Sequence, residues 1–326
     1  MTVTAEHVKA LVRRHIEGDD DGFYSIALQL AARAAREGKS RFAQDLRELI
    51  DSAKTPTAAT QLRPTPIAQP RGELAGLMSV TYPDVPLDAM TLTPSVRDQL
   101  SRVITEQRQR DRLAGHGLDP IHRLLLVGPP GTGKSMSASM LAHELKIPLF
   151  TIQLDVLISK YMGETASKLR HVFDAVASTR AVYLFDEFDA LGTHRMAAND
   201  VGEVRRVLNS FLQFLEAASP ASLVVAATNH PQLLDKALFR RFDQVIEYGL
   251  PDAESAMGVI RNRLTLLDTR GVNWPAVRQK VGGLSHAELV RAAEAAAKRV
   301  VLSGRHRITT TALVSALDDR RRHADE

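Results

Sequence analysis

Leu124-Leu125-Leu126-Val127-Gly128-Pro129-Pro130-Gly131-Thr132-Gly133-Lys134-Ser135 is the stretch that decides the reading of this chain. Its four leading apolar residues suit a strand buried on both faces, as strands of parallel sheets are. The eight residues after them fit G-x-x-x-x-G-K-S/T, and a helical segment follows. The glycines let the backbone curl so that its N–H groups converge on phosphate oxygens. The helix behind them adds positive potential at the same place. Lys134 supplies a point charge to the β- and γ-phosphates, and the Ser135 hydroxyl a ligand for Mg2+. A chance glycine-rich turn would lack the strand before it and the helix after it. Gly128, Pro129, Pro130, Gly131, Thr132, Gly133, Lys134, Ser135 and Met136 therefore form the candidate nucleotide-binding stretch.

Similar apolar runs recur on both sides of this one. They are Leu149-Phe150-Thr151-Ile152, Val182-Tyr183-Leu184-Phe185, Leu223-Val224-Val225-Ala226-Ala227 and Val245-Ile246, with helical segments between them. Alternation of this kind predicts an α/β fold in which helices wrap a five-stranded parallel sheet. The run at 182–185 ends in Asp186-Glu187. Burying charge without a partner is expensive, so two carboxylates closing an apolar strand call for an explanation. Asp186 can hold the water shell of Mg2+, and Glu187 can polarise an attacking water as general base. Taken alone, Asp186 also reads as the cap of a helix after a core strand; beside the phosphate loop the metal reading is preferred.

Outward from this centre the composition changes twice. Residues 1–54 carry three short amphipathic patterns, the first marked by Val8, Leu11, Val12 and Ile16, and predict a small N-terminal helical bundle. Residues 55–74 hold Pro56, Pro64, Pro66 and Pro70 among Thr, Ala and Gln, the composition of a linker. Residues 75–250 contain every predicted strand. From 251 to 326 the pattern is helical throughout and predicts a small C-terminal helical domain. No internal repeat is present.

The 326 residues are 44% hydrophobic and 5% aromatic, and none is cysteine, which excludes disulfides and thiolate metal sites. No apolar run approaches the length of a membrane span, and the first residues lack the apolar core of a secretory signal, so the expected location is cytoplasmic. The net charge of +4 and pI near 9.4 invite a nucleic-acid reading, but the charge is dispersed. The basic run Arg320-Arg321-Arg322 sits beside Asp318, Asp319, Asp325 and Glu326, a mixed solvated surface. The eleven histidines show no ligand spacing, so no metal besides Mg2+ is implied.

With these motifs in place the chain resembles the AAA ATPases in the narrow sense, over about residues 85–320. Ala227-Thr228-Asn229 is similar to the position called sensor 1, which implies that Asn229 orients water against the γ-phosphate. Leu234 to Asp243 resembles the second region of homology that defines the family. Its adjacent Arg240 and Arg241 match the katanin, spastin and ESCRT-disassembly branch, where such arginines act on the neighbouring subunit's ATP. Ser159-Lys160-Tyr161-Met162-Gly163-Glu164 resembles the first pore loop, with Lys160, Tyr161 and Met162 gripping substrate; the alternative is that Tyr161 is a core aromatic. Residues 195–206 resemble the second pore loop, with Arg205 and Arg206 near a subunit boundary. Gly283-Leu284-Ser285-His286-Ala287-Glu288 resembles the lid motif G-x-S-G-A-D, with His286 and Glu288 in place of Gly and Asp. The backbone of that motif packs near adenine in relatives, so bulk at His286 is expected to alter base contacts; His286 as a surface residue is the alternative. Ala287 stands where the wider superfamily has a sensor-2 arginine. The nearest match to the family's adenine loop is the weak Asp84-Val85-Pro86-Leu87-Asp88.

The resemblance implies a P-loop fold with a helical lid, ATP and Mg2+ as cofactors, and assembly with itself, six being the family habit. It implies a ring that remodels a protein substrate as an unfoldase, a disassembler or a partner of a protease. Residues 1–72 are similar to the helical leader of small bacterial AAA ATPases encoded beside subtilisin-like proteases, which makes such a protease a candidate partner. Two other readings stand beside this one. One is an ATP-switched regulatory ring that delivers a partner enzyme. The other is an ATPase acting on nucleic acid, which the arginine pair and the aromatic loop disfavour.

Overall fold

The computed structural model describes residues 74–157, 162–190, 201–234 and 236–324, with side chains left out at 162, 163, 201–206, 236, 237, 323 and 324. The chain divides into two compact units, Met1–Ile67 and Ala68–Glu326, and all the described residues belong to the second. The bundle expected over 1–54 and nearly all of the linker over 55–74 lie outside them.

One six-stranded sheet organises the larger part of the fold. Its strands are β1 (Met78–Thr81), β2 (Arg123–Val127), β3 (Leu149–Ile152), β4 (Val182–Phe185), β5 (Leu223–Thr228) and β6 (Gln244–Glu247). They lie in the order β1-β3-β4-β5-β2-β6. All five apolar runs form strands, and those five pair in parallel. The expectation of five strands falls short by one. β1 pairs antiparallel with β3, Met78 opposite Ile152 and Thr81 opposite Leu149. The physical reason is that Met78-Ser79-Val80-Thr81 lies at the sheet's edge with only Met78 buried. A strand with one covered position carries no continuous apolar run to read.

Apolar runs without alternation are explained by two cores, one on each face of the sheet. Leu125, Val127, Tyr183 and Phe185 turn to one face, where Phe173 and Phe211 meet edge-on at 5.6 Å between ring centroids. Leu124, Leu126, Leu184 and Val225 turn to the other, against Leu141 and Leu100. Helix α1 (Pro94–Arg108) covers part of that second face. It begins at Thr93, whose side chain accepts from the Val96 N–H, with Pro94 preset for the first turn. Val96, Leu100, Val103, Ile104 and Gln107 are its buried stripe. Helix α2 (Lys134–Leu145) follows the phosphate loop, and α3 (Met162–Ser178) and α4 (Val201–Glu216) pack together.

A third core gathers residues beyond Pro251. It is built by α5 (Ala253–Arg263), α6 (Trp274–Arg278), α7 (His286–Leu302) and α8 (Thr310–Ala324), around Ile260, Leu289, Ala293 and Leu317. Helix α7 starts on a capping box: the Ser285 hydroxyl accepts from the Glu288 N–H while the Glu288 carboxylate accepts from the Ser285 N–H. That box fixes where the helix begins, and so where its first residues face. No helix among the described residues is long and apolar enough to cross a membrane.

Candidate nucleotide site

Three neighbouring strands, β4, β5 and β2, end side by side. Asp186 follows β4, Asn229 follows β5, and Gly128 follows β2, with the Gly128 N–H donating to the Thr228 carbonyl at 3.3 Å. Parallel pairing thus brings together residues a hundred positions apart, at the carboxyl ends of the strands, where α/β sheets bind ligands.

The loop from Gly128 to Gly133 is held at two close approaches. Gly128 has φ 148°, and a Cβ there would collide with the Tyr248 carbonyl oxygen. Gly131 has φ 72°, and a Cβ there would lie 2.7 Å from the Ser285 hydroxyl and 3.0 Å from the Ala287 Cβ. The Ala287 N–H donates to the Gly131 carbonyl at 3.0 Å, so the loop is bonded to the start of α7. Thr132 is buried, and its hydroxyl donates to the Pro129 carbonyl at 2.8 Å, which braces the turn from inside.

Lys134 is almost fully buried. Its ammonium donates to the Gly128 carbonyl at 2.7 Å, the Pro129 carbonyl at 2.8 Å and Asn229 Oδ1 at 2.7 Å, which matches its three donors. Burial lowers its pKa, against the pull of Asp186 and Asp189. The Ser135 hydroxyl donates to Asp186 Oδ2 at 2.6 Å, while Asp186 Oδ1 accepts from the Glu187 N–H at 3.0 Å. Glu187 is exposed and sits at φ 51°, a left-handed conformation that ordinary residues seldom adopt and that gathers at functional sites. The turn is secured on the far side by the Phe188 N–H donating to the Ala227 carbonyl at 2.8 Å.

These residues line a cavity of about 570 Å³. Pro130, Gly131, Gly133, Lys134, Ser135, Met136, Asp186, Glu187 and Asn229 form one side of it. The start of α7 forms the other, through His286, Ala287, Val290, Arg291 and Glu294. A second cavity of about 340 Å³ adjoins it. Its walls are Ala89, Met90, Thr91, Leu92, Thr132, Val259, Asn262 and Arg263, and it shares Gly133, Met136, His286 and Val290 with the first. The first brings Lys134 and Arg291 together with Asp186, Glu187 and Glu294; the second sets Met90, Leu92, Val259 and Val290 beside Asn262 and Arg263.

The residues fit Mg2+. Ser135 and Asp186 set two hard oxygens on the wall of the phosphate cavity, and the ion is bound by one or two such groups with substrate phosphates and water completing the shell. Among the described residues no three His, Cys, Asp or Glu side chains gather into a metal cage.

The model of the "ATPase family associated with various cellular activities (AAA)" matches residues 124–250. An uncharacterized AAA family ATPase, y4kL of Sinorhizobium fredii, is 30% identical over 307 residues, 94% of this chain and 92% of its own. The chain belongs to the AAA ATPase family. It is an ATP-hydrolysing enzyme with ATP and Mg2+ as its ligands. A proteasome-activating nucleotidase of Pyrococcus horikoshii is 34% identical over 209 residues, covering 62% of this ATPase and 52% of the relative. The ATP-dependent zinc metalloprotease FtsH 3 of Sphaerobacter thermophilus is 30% identical over 254 residues, again with 52% of the relative covered. The chain thus spans about half the length of these two. Among solved structures, the FIGL-1 AAA domain superposes with a TM-score of 0.60 at 26% identity, covering 74% of this chain and 85% of that one.

Of the residues singled out in sequence, Lys134, Ser135, Met136, Asp186, Glu187 and Asn229 converge on one cavity. Arg240 and Arg241 do not line it; both are exposed beyond the short helix Lys236–Phe239, and Arg241 pairs with Glu216. Lys160 and Tyr161, and all of 195–200, lie outside the described residues, as do the side chains of Met162, Arg205 and Arg206. The adenine-loop match at 84–88 does not line either cavity. Val85 and Leu87 pack against the core, and Ala89 to Leu92 line the second cavity.

Sequence reasoning missed five residues. Asp189 accepts from the Thr228 hydroxyl at 2.8 Å and the Asn229 N–H at 3.4 Å, tying the end of β5 to the turn after β4. Its signal was a third carboxylate in Asp186-Glu187-Phe188-Asp189. Met90, Thr91 and Leu92 had no signal, since nothing about Met-Thr-Leu marks a base site. Arg291 enters the phosphate cavity one helical turn beyond Ala287.

Proposed function

We propose that this ATPase works as a homo-oligomeric ring, of six subunits by family habit, that uses ATP turnover to remodel a protein substrate. Within a subunit Lys134 binds the phosphates, Ser135 and Asp186 hold Mg2+, Glu187 takes a proton from the attacking water, and Asn229 orients that water. Mg2+ supplies charge neutralisation at the phosphates when bound. Arg240 and Arg241 complete the neighbour's site. The observation that carries this reading is their placement. Both are exposed and stand outside their own subunit's cavity, whose arginine among the described lining residues is Arg291. Charge develops on the γ-phosphoryl group in the transition state, and an arginine supplied from outside answers it.

Protein remodelling is supported by two of the relatives, a proteasome-activating nucleotidase and a metalloprotease. The pore-loop reading of Lys160, Tyr161 and Met162 and the katanin-like arginine pair belong to the same proposal. So do a leader at 1–54 that recruits the partner, the division at 75–250 and 251–326, a cytoplasmic location, and a subtilisin-like protease as partner.

The test is the ATPase rate per subunit as a function of protein concentration, with oligomer mass recorded alongside. A rate that rises with concentration, and falls by roughly 10³–10⁵ in Arg240→Ala while ATP affinity holds, supports an arginine acting in trans. Mixing Arg240→Ala with Glu187→Gln should then recover activity, because one donates the arginine and the other the intact site. A concentration-independent rate from a monomer sinks the ring.

A further inference from the structure

Arg240 and Arg241 stand between fixed points in Leu238-Phe239-Arg240-Arg241-Phe242-Asp243. Leu238 is fully buried, and its carbonyl accepts from the Arg241 N–H at 3.0 Å. Phe242 is buried in the same core. Apolar burial is non-directional, so these two hold the segment down without fixing how it is turned.

Asp243 supplies the direction. Its N–H donates to the Arg123 carbonyl at 2.9 Å. Its Oδ2 accepts from the backbone N–H groups of His122 and Arg123, each at 3.0 Å. Its Oδ1 accepts from Arg123 Nε at 2.9 Å, and a second guanidinium nitrogen of Arg123 reaches the same oxygen. Bonds between ionised partners are the strong ones. The side chains of Arg123 and Asp243 are only 22% and 20% exposed, so water screens the pair less than on an open surface.

This cluster lies at the far end of the sheet from its own nucleotide site. Arg123 opens β2, and the phosphate loop follows Val127, roughly 13 Å along the strand at about 3.3 Å per residue. Asp243 immediately precedes β6, which runs parallel to β2 with Leu124 opposite Gln244. The arginines therefore lie at the amino ends of these strands, whereas the cavity lies at the carboxyl ends. None of His122, Arg123 and Asp243 lines it. Arg241 has a second tether in Glu216. Arg240 has no polar partner among the described residues, so its direction depends on the backbone that Asp243 holds.

We propose that Asp243, clasped by Arg123, is the positioning residue for the arginine pair and fixes the angle at which Arg240 and Arg241 are presented to the neighbouring subunit's ATP. This rests on the arginines acting in trans, as proposed above. A guanidinium answers developing charge only from the right place, and a misplacement of about 1 Å costs on the order of 10²-fold in rate.

The experiment measures ATP turnover of the full chain for Asp243→Asn and Arg123→Gln, alone and mixed with Glu187→Gln or Arg240→Ala. Asparagine keeps the shape but turns an amino group towards donors, so kcat should fall by roughly 10²-fold with KM for ATP little moved. Arg123→Gln leaves the backbone bonds to Oδ2 in place and should cost less, roughly tenfold; it carries the test if Asp243→Asn does not fold. Both variants keep an intact site and misdirect their arginines. Mixing with Glu187→Gln, which has the opposite defect, should restore turnover, and mixing with Arg240→Ala should not. Restoration by Arg240→Ala instead would put the defect in the variant's own site and overturn the proposal. Restoration by neither, the mark of a merely structural anchor, would overturn it too, as would undiminished turnover in the folded variants. The trans reading has its own control. If Glu187→Gln mixed with Arg240→Ala restores nothing, that reading fails and the positioning role with it. If that control restores turnover while Asp243→Asn sorts the wrong way, the positioning role alone fails.

Discussion

At the phosphate end of the cavity, polar side chains from three strand ends are locked to one another: Lys134 to Asn229, Ser135 to Asp186, and Asp189 to Thr228. At the base end the walls are side chains such as Met90, Leu92, Val259 and Val290, drawn from separate elements, with one imidazole nitrogen left over. The first end is stiff because the side chains of Lys134, Ser135 and Thr228 each donate to a fixed acceptor; the second is shaped by packing. Chemistry that must stabilise developing charge gains from the first arrangement, since preorganised dipoles need no rearrangement at the moment of reaction. Recognition of a flat base needs only a slot and a few bonds.

If this contrast holds, substitutions at the phosphate end should strike turnover and those at the base end should strike affinity. Among substitutions lining the cavity, Glu187→Gln should show the largest effect. It removes the proposed general base while keeping size, so kcat should fall by roughly 10²–10⁴ with ATP affinity retained. Steady-state turnover beside a binding isotherm checks it. Asp189→Ala touches no nucleotide, yet it frees Thr228 and the Asn229 N–H. A misplacement of about 1 Å costs on the order of 10²-fold in rate, and a loss of that order in kcat is expected with KM little moved. A matching rise in KM would mean that the two ends are not separate.

Val290→Ala should do the reverse. It trims a wall shared by both cavities, and removing two methyl groups worth up to about 0.8 kcal/mol each should raise KM about four- to fifteenfold with kcat unchanged. The smallest effect is expected at Ser285→Ala, which removes the cap of α7 and costs about 1 kcal/mol. Thermal unfolding should register a drop of a few degrees for a chain of this size, roughly 2–4 °C.

The same contrast explains how much was legible in the sequence. Lys134 and Ser135 stand at fixed spacing within one loop, and Asp186 closes an apolar run, so sequence order reveals them, whereas Asn229 was marked only by the family resemblance. Gly131 and Gly128 were legible as glycines, but not their reasons, since Ser285 and Tyr248 are far away in the chain. The base end is assembled from Met90, Val259 and Val290, ordinary core residues whose role depends on packing across three elements. β1 escaped because an edge strand with one buried position has no periodic signature. His286 was visible as a departure from a motif, and only its surroundings show that it turns inward.

The bond from the Ala287 N–H to the Gly131 carbonyl has one more consequence. Helix α7 is 17 residues long, roughly 25 Å at 1.5 Å per residue, and it is anchored at its first turn to the loop that grips the triphosphate. A tilt of about 5° at that anchor carries its other end through roughly 2 Å over such a length. That other end bears Val301 and Leu302, apolar side chains turned to solvent. Because α7 is packed into the third core with α5 and α8, such a tilt would carry that whole core with it.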